Sequence, residues 1–132
     1  MSITLSKRLS HGINNTDVVY AGNCGPAQRN ELLGHAAALL HLIHFDEPFG
    51  LSVAEAMCCG TPVIAFNRGS MPELIVHKQT GFLVETIEEA AAAVDGLASI
   101  NRKDCRHRAV NFFSTGKMAD DYLRLYKHIL HG

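Results

Sequence analysis

Short apolar runs alternate along the chain with longer segments in which apolar positions recur at the spacing of a helix. Runs of four or five residues rich in Val, Ile, Leu and Phe are typical of buried strands. These runs predict strands at Asp17–Tyr20, Leu39–Ile43, Pro62–Phe66 and Gly81–Val84. The remaining segments predict helices at Pro26–Ala37, Ser52–Cys59, Glu88–Ala98, Arg102–Phe113 and Lys117–Leu130. Strands and helices in this order predict an α/β fold, a parallel sheet with helices on its faces.

Individual residues mark the ends of several predicted helices. Pro26 suits a first helical turn, and Gly60 is placed as the glycine that ends the second helix. Thr86, with Glu89 three residues further on, predicts an N-terminal cap for the third helix. No internal repeat and no linker divides the 132 residues, so we expect a single domain.

Composition and charge argue against several classes of protein. Hydrophobic residues make up 47% and charged residues 19% of the chain, which is typical of a globular domain. A net charge of −1 predicts no nucleic-acid partner. The longest mainly apolar stretch, Ala36–Ile43, is too short for a transmembrane segment, and the polar Ser2–Asn15 does not resemble a signal peptide. Four cysteines without C-x-x-C spacing and scattered histidines predict a cytoplasmic protein with no metal site.

The stretch from residue 47 to residue 65 carries the candidate chemistry. It begins just past the end of a predicted strand, where open α/β sheets bind ligands. Gly50 lets the backbone come close to a ligand. Ser52 is predicted to open a helix whose free N–H groups suit a diphosphate. Glu47 and Glu55 are eight positions apart, and each carboxylate can accept two hydroxyl hydrogen bonds from a sugar ring or a ribose.

Each of these residues also has a structural interpretation. Ser52-x-x-Glu55 fits a capping box, in which Glu55 would satisfy only the backbone at Ser52. Glu47 before Pro48 could be an ordinary exposed loop acid. Ser70-x-x-Glu73 is a second capping box, and there we favour the structural interpretation.

Residues 47–65 read E-P-F-G-L-x-x-x-E-A-M-x-x-G-T-P-V-I-A, which resembles the signature of the family 4 retaining glycosyltransferases. That family has the two-domain GT-B architecture. The resemblance covers residues 16–131 and leaves residues 1–15 undefined; further matching segments are Val19–Gly22, Arg29–Leu33, Gly69–Ile75, Thr80–Val84 and Phe113–Tyr126. It implies a partial Rossmann-like, doubly wound parallel sheet, the C-terminal half of a GT-B enzyme.

The resemblance also implies roles for individual residues. Glu55 would bind the ribose hydroxyls of a nucleotide diphosphate sugar, and Glu47 would face the transferred sugar as the catalytic residue. The loop residues between them, whose backbone amides would approach sugar and diphosphate, are Phe49, Gly50, Leu51 and Ser52. The residues expected near the base are Asn23, Cys24 and Gly25. The family needs no metal and retains the anomeric configuration, so no cofactor is expected.

Relatives in this family also have an N-terminal domain that binds the acceptor, and an Arg and a Lys that bind the donor diphosphate. Residues with those roles are not found here; Lys7, Arg8 and His11 have the wrong spacing. The expected function is therefore that of a donor-binding domain that is inactive without a separate N-terminal acceptor domain. The alternative is a non-catalytic nucleotide-binding or assembly module that keeps the fold.

The resemblance predicts how the sheet is completed. It places Val18–Tyr20 as the third strand of a sheet of order 3-2-1-4-5-6. This strand could pair directly with Leu39–Ile43, Ile3–Leu5 could fill the gap between them, or a second copy could supply the missing edge. An open apolar edge is a template for pairing with another chain. We therefore expect a homodimer.

Overall fold

The computed structural model describes residues 12–132, which form a parallel sheet with helices packed on it. The strands, in the spatial order β1-β2-β3, are β1 (Leu39–His41), β2 (Val63–Phe66) and β3 (Gly81–Val84). The helices are α1 (Pro26–His35), α2 (Leu51–Cys58), α3 (Met71–Leu74), α4 (Ile87–Asp95), α5 (Arg102–Phe113) and α6 (Thr115–His131), with a 3-10 turn at Leu97–Ser99. The predicted α/β class and parallel sheet are confirmed.

Strand β2 lies at the centre of the core, and all four of its residues are buried. Successive side chains of a strand point to opposite faces, and they divide the core into two clusters. The cluster on the face of Val63 and Ala65 also contains Val53, Ala56, Met57, Met71, Leu74, Ile75 and Ala109. The cluster on the face of Ile64 and Phe66 also contains Phe82, Val84, Ala90, Ile100 and Cys105. The sheet is therefore covered on both faces, as a parallel sheet requires.

Two of the predicted helix ends are confirmed by their hydrogen bonds. Gly60 has a φ of 75°, and the N–H groups of Gly60 and Thr61 donate to the carbonyls of Met57 and Ala56, which is a Schellman motif. Thr86 caps α4 by accepting a hydrogen bond from the N–H of Glu89. Both ends depend on residues close in sequence, which is why the sequence predicts them.

The predicted strand at Asp17–Tyr20 is wrong. Residues 17–20 contain no strand, and the side chains of Val18, Val19 and Tyr20 are exposed. Instead, the side-chain oxygen of Asn14 accepts hydrogen bonds from the N–H groups of Thr16, Asp17 and Val18. Such local bonds compete with strand pairing, so direct pairing with β1 does not occur. The suggested strand at Ile3–Leu5 lies outside the described residues.

Helix α5 is connected to α1, α2 and α3 by three arginine side chains. Each arginine donates hydrogen bonds to one or two carbonyls at the C-terminal end of one of these helices. Arg102 donates to the Gly34 carbonyl in the last turn of α1 and to the Ala36 carbonyl just after that helix. Arg106 bonds to the Cys58 carbonyl of α2. Arg108 bonds to the Glu73 and Leu74 carbonyls of α3. The last carbonyls of a helix lack partners within it, and they lie at the negative end of the helix dipole. A guanidinium group there supplies the missing hydrogen bonds and a favourable positive charge.

Helix α6 is the longest helix of the described chain, and none of its residues is buried. Its exposed large apolar residues include Met118, Tyr122, Leu125 and Ile129. None of the helices within residues 12–132 is long and apolar enough to cross a membrane.

Candidate functional site

The loop between β1 and α2 lies at the carboxyl end of the sheet and turns sharply at Gly50. This glycine has a φ of 93° and a ψ of 61°, and it is the residue that precedes the first turn of α2. It is buried, and a Cβ there would lie 2.7 Å from the Met71 methyl carbon and 3.1 Å from Cδ1 of Leu74. The left-handed backbone is what requires glycine at this position, since the Met71 methyl group is the end of a flexible side chain and can move aside.

Glu47 is folded back onto the turn that it precedes. The Gly50 N–H donates to its Oε1 at 3.2 Å, and the residue is half-buried. The interpretation of Glu47 as an ordinary exposed loop acid is therefore wrong. Its carboxylate stands beside the start of α2, with the second oxygen available to another donor.

Residues 68–70, which follow β2, contact the loop between β1 and α2 and fix its conformation. The Arg68 guanidinium donates to the His44 carbonyl and pairs with Asp46 at 3.3 Å. The Ser70 N–H donates to the Glu47 carbonyl at 2.9 Å. Gly69 lies so close that a Cβ would be 2.7 Å from both the N and the O of Glu47. The conformation of the loop therefore depends on residues more than 20 positions away.

The side chain of Ser70 has a different role from the predicted one. Its hydroxyl donates to the Phe49 carbonyl at 2.7 Å, and it makes no cap for α3. The role is structural, as favoured, but the predicted capping box is wrong because a tertiary partner takes the hydroxyl. This bond fixes the backbone of Phe49, the residue that precedes Gly50.

Helix α2 begins at Leu51, one residue earlier than predicted, because the left-handed Gly50 starts the turn. The Gly50 carbonyl accepts from the N–H groups of Val53 and Ala54, so the N–H groups of Leu51 and Ser52 have no acceptor within the helix. Both residues are exposed. These two amides and the positive end of the helix dipole lie directly after the Glu47 turn and form a place for an anion.

Glu55 lies in the second turn of α2 and points toward α1. Its Oε1 is 3.1 Å from Nη2 of Arg29, and the capping box with Ser52 is absent because no side chain caps α2. That alternative is therefore wrong. The pair is partly exposed and is worth little for stability, so the carboxylate retains an oxygen and solvent access for a further donor.

The three residues expected near a base precede α1. Gly25 is the residue before the first helical turn, and its carbonyl accepts from the Arg29 N–H at 2.9 Å. Asn23 is exposed and Cys24 is half-buried. On α1, Arg29 lies one helical turn after Gly25. On α2, Glu55 lies one helical turn after Leu51, so the ion pair is one turn away from the start of each helix. No direct contact between residues 23–25 and the loop at 47–52 is among the hydrogen bonds and ion pairs of residues 12–132.

An apolar groove of about 500 Å³ adjoins the Glu47 turn. Phe49 and Leu51 form one side, and the junction of α5 and α6 forms the other. The ring of Phe49 meets the ring of Phe113 edge-on, with centroids 6.4 Å apart. On the far side of the loop, a smaller polar pocket of about 250 Å³ is lined by His44, Phe66, Asn67, Arg68 and Glu85.

Two of the cysteines, Cys58 and Cys105, are packing residues of the core clusters. Cys105 is buried, and desolvation raises the pKa of its thiol to about 11. Burial likewise raises the pKa of Cys58, although nearby Arg106 opposes the effect. A thiol with a raised pKa stays protonated at neutral pH and is a poor nucleophile. Within the described part of the chain, no group of three or more His, Cys, Asp or Glu side chains is placed to hold a metal ion.

Comparison with known sequences identifies the family. The sequence profile described as "Glycosyl transferases group 1" matches residues 4–112, which include the whole Glu47–Glu55 stretch and all three strands. The chain belongs to the group 1 glycosyltransferases. The resemblance carried by residues 47–65 is therefore confirmed at the level of the family.

Relatives and a solved structure agree with this membership. The D-inositol 3-phosphate glycosyltransferase of Mycobacterium marinum is 32% identical over 118 residues, 80% of this chain and 25% of that protein. The N-acetyl-alpha-D-glucosaminyl L-malate synthase of Bacillus anthracis is 30% identical over 76% of this chain and 28% of that protein. A glycosyltransferase involved in avilamycin A biosynthesis matches with a TM-score of 0.75 and 25% identity over 95% of this chain and 39% of that one.

These comparisons settle the fold and the extent of the match. The structural neighbours are GT-B glycosyltransferases, so the chain has a partial GT-B fold as the resemblance implied. The chain spans about a quarter of the length of the two curated relatives named above.

Three residues of this candidate site were not predicted from the sequence as part of it. Arg68 and Ser70 hold the loop, and Arg29 pairs with Glu55. One signal was present in the sequence: a polar Asn-Arg-Gly-Ser segment directly follows buried β2, at the edge where ligands bind. Its partners could not be inferred because they come from another loop.

Proposed function

We propose that this chain is the donor-binding domain of a retaining glycosyltransferase that transfers a sugar from a nucleotide diphosphate sugar. The observation that carries the proposal is the turn at Gly50, which holds the Glu47 carboxylate at the Gly50 N–H, directly before the first two amides of α2 at Leu51 and Ser52. Such a site offers a carboxylate that accepts hydrogen bonds from sugar hydroxyls, next to backbone N–H groups that donate to a diphosphate. The two halves of a nucleotide sugar need those two environments side by side.

Each candidate residue then has a chemical role. Glu55 accepts hydrogen bonds from the ribose diol through the oxygen that Arg29 leaves open. The amides and side chains from Phe49 to Ser52 surround the diphosphate and the sugar. The base lies near the loop formed by Asn23, Cys24 and Gly25. Glu47 faces the sugar and stabilises the positive charge that develops at its ring.

The proposed reaction occurs on one face of the sugar, without a metal and without a covalent intermediate. The bond between the anomeric carbon and the diphosphate oxygen breaks, and the acceptor oxygen forms a bond on the same face. The acceptor proton passes to the departing diphosphate. The chain's part is to stabilise the diphosphate and to hold the sugar in line. Its four free cysteines fit a reducing cytoplasm, where we place the protein.

Titration of the purified chain with nucleoside diphosphates tests this function. We expect weak binding of at least one nucleoside diphosphate, and Glu55→Ala should weaken it about tenfold or more. A hydrogen bond to a charged group is worth about 1.5–3 kcal/mol, and 1.4 kcal/mol is tenfold in affinity. Arg29→Ala is the matched control, because it removes the ion pair and leaves the Glu55 carboxylate in place.

The alternative function is a non-catalytic nucleotide-binding or assembly module, and the control distinguishes its assembly form, in which Glu55 contacts no ligand. The Arg29–Glu55 ion pair is the observation that favours it, since Glu55 would then serve only to join α1 to α2. In that case Arg29→Ala and Glu55→Ala would have the same small effect. Absence of binding for every nucleoside diphosphate would contradict the donor-binding role.

We also propose a separate N-terminal acceptor domain as a functional partner, and a homodimer when the chain is alone. The dimer does not depend on Val18–Tyr20, which is not a strand. Met118, Tyr122, Leu125 and Ile129 recur at intervals of four, three and four residues on α6, the spacing of a coiled-coil seam. Two antiparallel copies would pair Tyr122 with Leu125.

Light scattering tests the homodimer. The chain should have the mass of two copies, and Leu125→Asp should yield a monomer, because it places a charge in the seam of an exposed helix. Lys127→Asp, on the opposite side of α6, is the control and should remain dimeric. A monomer of the unaltered chain at high protein concentration would contradict the proposal.

A further inference from the structure

Arg108 connects α5 to the short helix beneath the Glu47 turn. Its Nε donates to the Leu74 carbonyl at 2.6 Å, and its Nη2 donates to the Glu73 carbonyl at 2.6 Å. These are the last two carbonyls of α3, which is a single turn of four residues. A helix this short is not stable by its own hydrogen bonds, so its position depends on what holds it.

Helix α3 in turn supports Gly50. The side chains of Met71 and Leu74 occupy the space in which a Cβ at Gly50 would lie, at 2.7 Å and 3.1 Å. Both are buried in the core cluster that also contains Val53 of α2. Movement of α3 would therefore open a gap under the turn that joins Glu47 to α2.

A second set of contacts leads from Arg108 to the same loop. Its guanidinium carbon lies 5.1 Å from the ring centroid of Phe112 and 5.6 Å from that of Phe113. Guanidinium groups within about 6 Å of an aromatic face attract it. Phe113 contacts Phe49 edge-on, so one side chain is linked to both residues that form the Phe49–Gly50 turn.

We propose that Arg108 is a positioning residue for the donor site: it holds the turn at Phe49–Gly50 in its binding conformation through α3 and Phe113. The inference rests on the proposed function for its consequence in binding, but its structural part stands without a ligand. Two fork N–H groups match two successive carbonyls, which a lysine ammonium cannot reproduce with the same geometry. Arg108 touches no reacting group and is not a catalytic residue.

Arg102 provides a matched control. It makes the same kind of contact, donating from Nη1 and Nη2 to the Ala36 and Gly34 carbonyls at 2.7 and 2.8 Å. Those carbonyls lie at the C-terminal end of α1, and none of the partners of Arg102 belongs to the loop at 44–50. Loss of a helix-end arginine is therefore common to both variants, while contact with α3 is specific to Arg108.

The first arm of the test needs no ligand. Amide hydrogen exchange of the Gly50 and Ser70 N–H groups, which both bond to Glu47, should be at least tenfold faster in Arg108→Met, measured relative to Ile64 in β2. Arg102→Met should not raise that ratio, because a loss of global stability speeds the exchange of a buried sheet amide at least as much as that of loop amides, which exchange through local opening. Arg108→Lys should give an exchange ratio between those of the unaltered chain and Arg108→Met, and this variant replaces Arg108→Met in the test if the latter does not fold.

The second arm measures affinity for a nucleoside diphosphate, which should fall about tenfold in Arg108→Met and less than twofold in Arg102→Met. An unchanged exchange ratio in both Arg108 variants, or an equal rise in Arg102→Met, would overturn the proposal. If the unaltered chain binds no nucleotide, the proposed function fails. The exchange arm would still decide whether Arg108 holds the turn.

Discussion

Gly69→Ala should abolish measurable donor binding while the sheet remains folded. An added Cβ would lie 2.7 Å from the backbone N and O of Glu47, and neither atom belongs to a flexible side chain. The φ of 55° adds strain for any residue other than glycine. The clash can be relieved only if the loop separates from residues 68–70, which breaks the bonds of Arg68 and Ser70 to it. We expect a loss of affinity of tenfold or more in calorimetric titration.

Gly116→Ala is the matched control, because no atom lies within 4 Å of a Cβ at that position. It should leave both nucleotide affinity and thermal stability unchanged or slightly improved. Circular dichroism should show that Gly69→Ala retains its helices, since the buried core clusters do not involve the loop backbone. Unchanged donor affinity in Gly69→Ala would contradict the view that residues 68–70 define the site.

The second large effect concerns turnover: the 132 residues alone should transfer no sugar from any nucleotide sugar. The resemblance implies that transfer takes place in a cleft between two domains, and the chain spans about a quarter of the length of the curated relatives compared above. The resemblance also implies an Arg and a Lys that bind the diphosphate, and no residue of the matching segments is assigned to them. Each charge-assisted bond is worth about 1.5–3 kcal/mol, so we expect a chain without them to lose both affinity and rate.

A transferase assay with a panel of radiolabelled nucleotide sugars and acceptors measures this directly. A full-length group 1 glycosyltransferase, assayed with its own substrates, is the positive control. A variant of the chain with Glu47→Ala identifies activity from contaminating host enzymes, which would not depend on Glu47. Turnover by the unaltered chain that the Glu47 variant lacks would refute the need for a second domain.

Much of the fold was predictable because the signals are local. Strand β3 at Gly81–Val84 and helix α5 at Arg102–Phe113 have the predicted bounds, and Gly60 and Thr86 end and start helices as their residue types indicate. The strand at Asp17–Tyr20 was not predictable, since Asn14 folds the backbone of that segment into local hydrogen bonds. A β-branched run has the same pattern whether or not a neighbouring strand is available.

The candidate site could be predicted as a loop followed by a helix start, but not as an arrangement of contacts. Glu47, Gly50 and Glu55 lie on that loop and helix, yet the partner of Glu55 differs from the one that spacing suggested, and Glu47 is not an exposed loop acid. Arg29 approaches Glu55 from another helix, and the Gly50 N–H occupies an oxygen of Glu47. A capping box is predicted from sequence spacing alone. Its side chains do not form it when a residue from another part of the chain offers them a different partner, as Arg29 does for Glu55.

The measurement that tests the account most directly compares two ligands on Glu47 variants. Calorimetric titration would use a nucleoside diphosphate and the matching nucleotide sugar on the unaltered chain, Glu47→Ala and Glu47→Gln. The amide oxygen of Gln can still accept from the Gly50 N–H, so this variant keeps the turn and removes only the charge.

We expect both Glu47 variants to weaken nucleotide-sugar binding about tenfold, since they lose a charged acceptor for sugar hydroxyls. Binding of the bare nucleoside diphosphate should change less than twofold in Glu47→Gln. That difference would place Glu47 at the transferred sugar. Equal loss of affinity for the two ligands in Glu47→Gln would contradict this role, and with it the assignment of the turn at Gly50 as the sugar-binding part of the site.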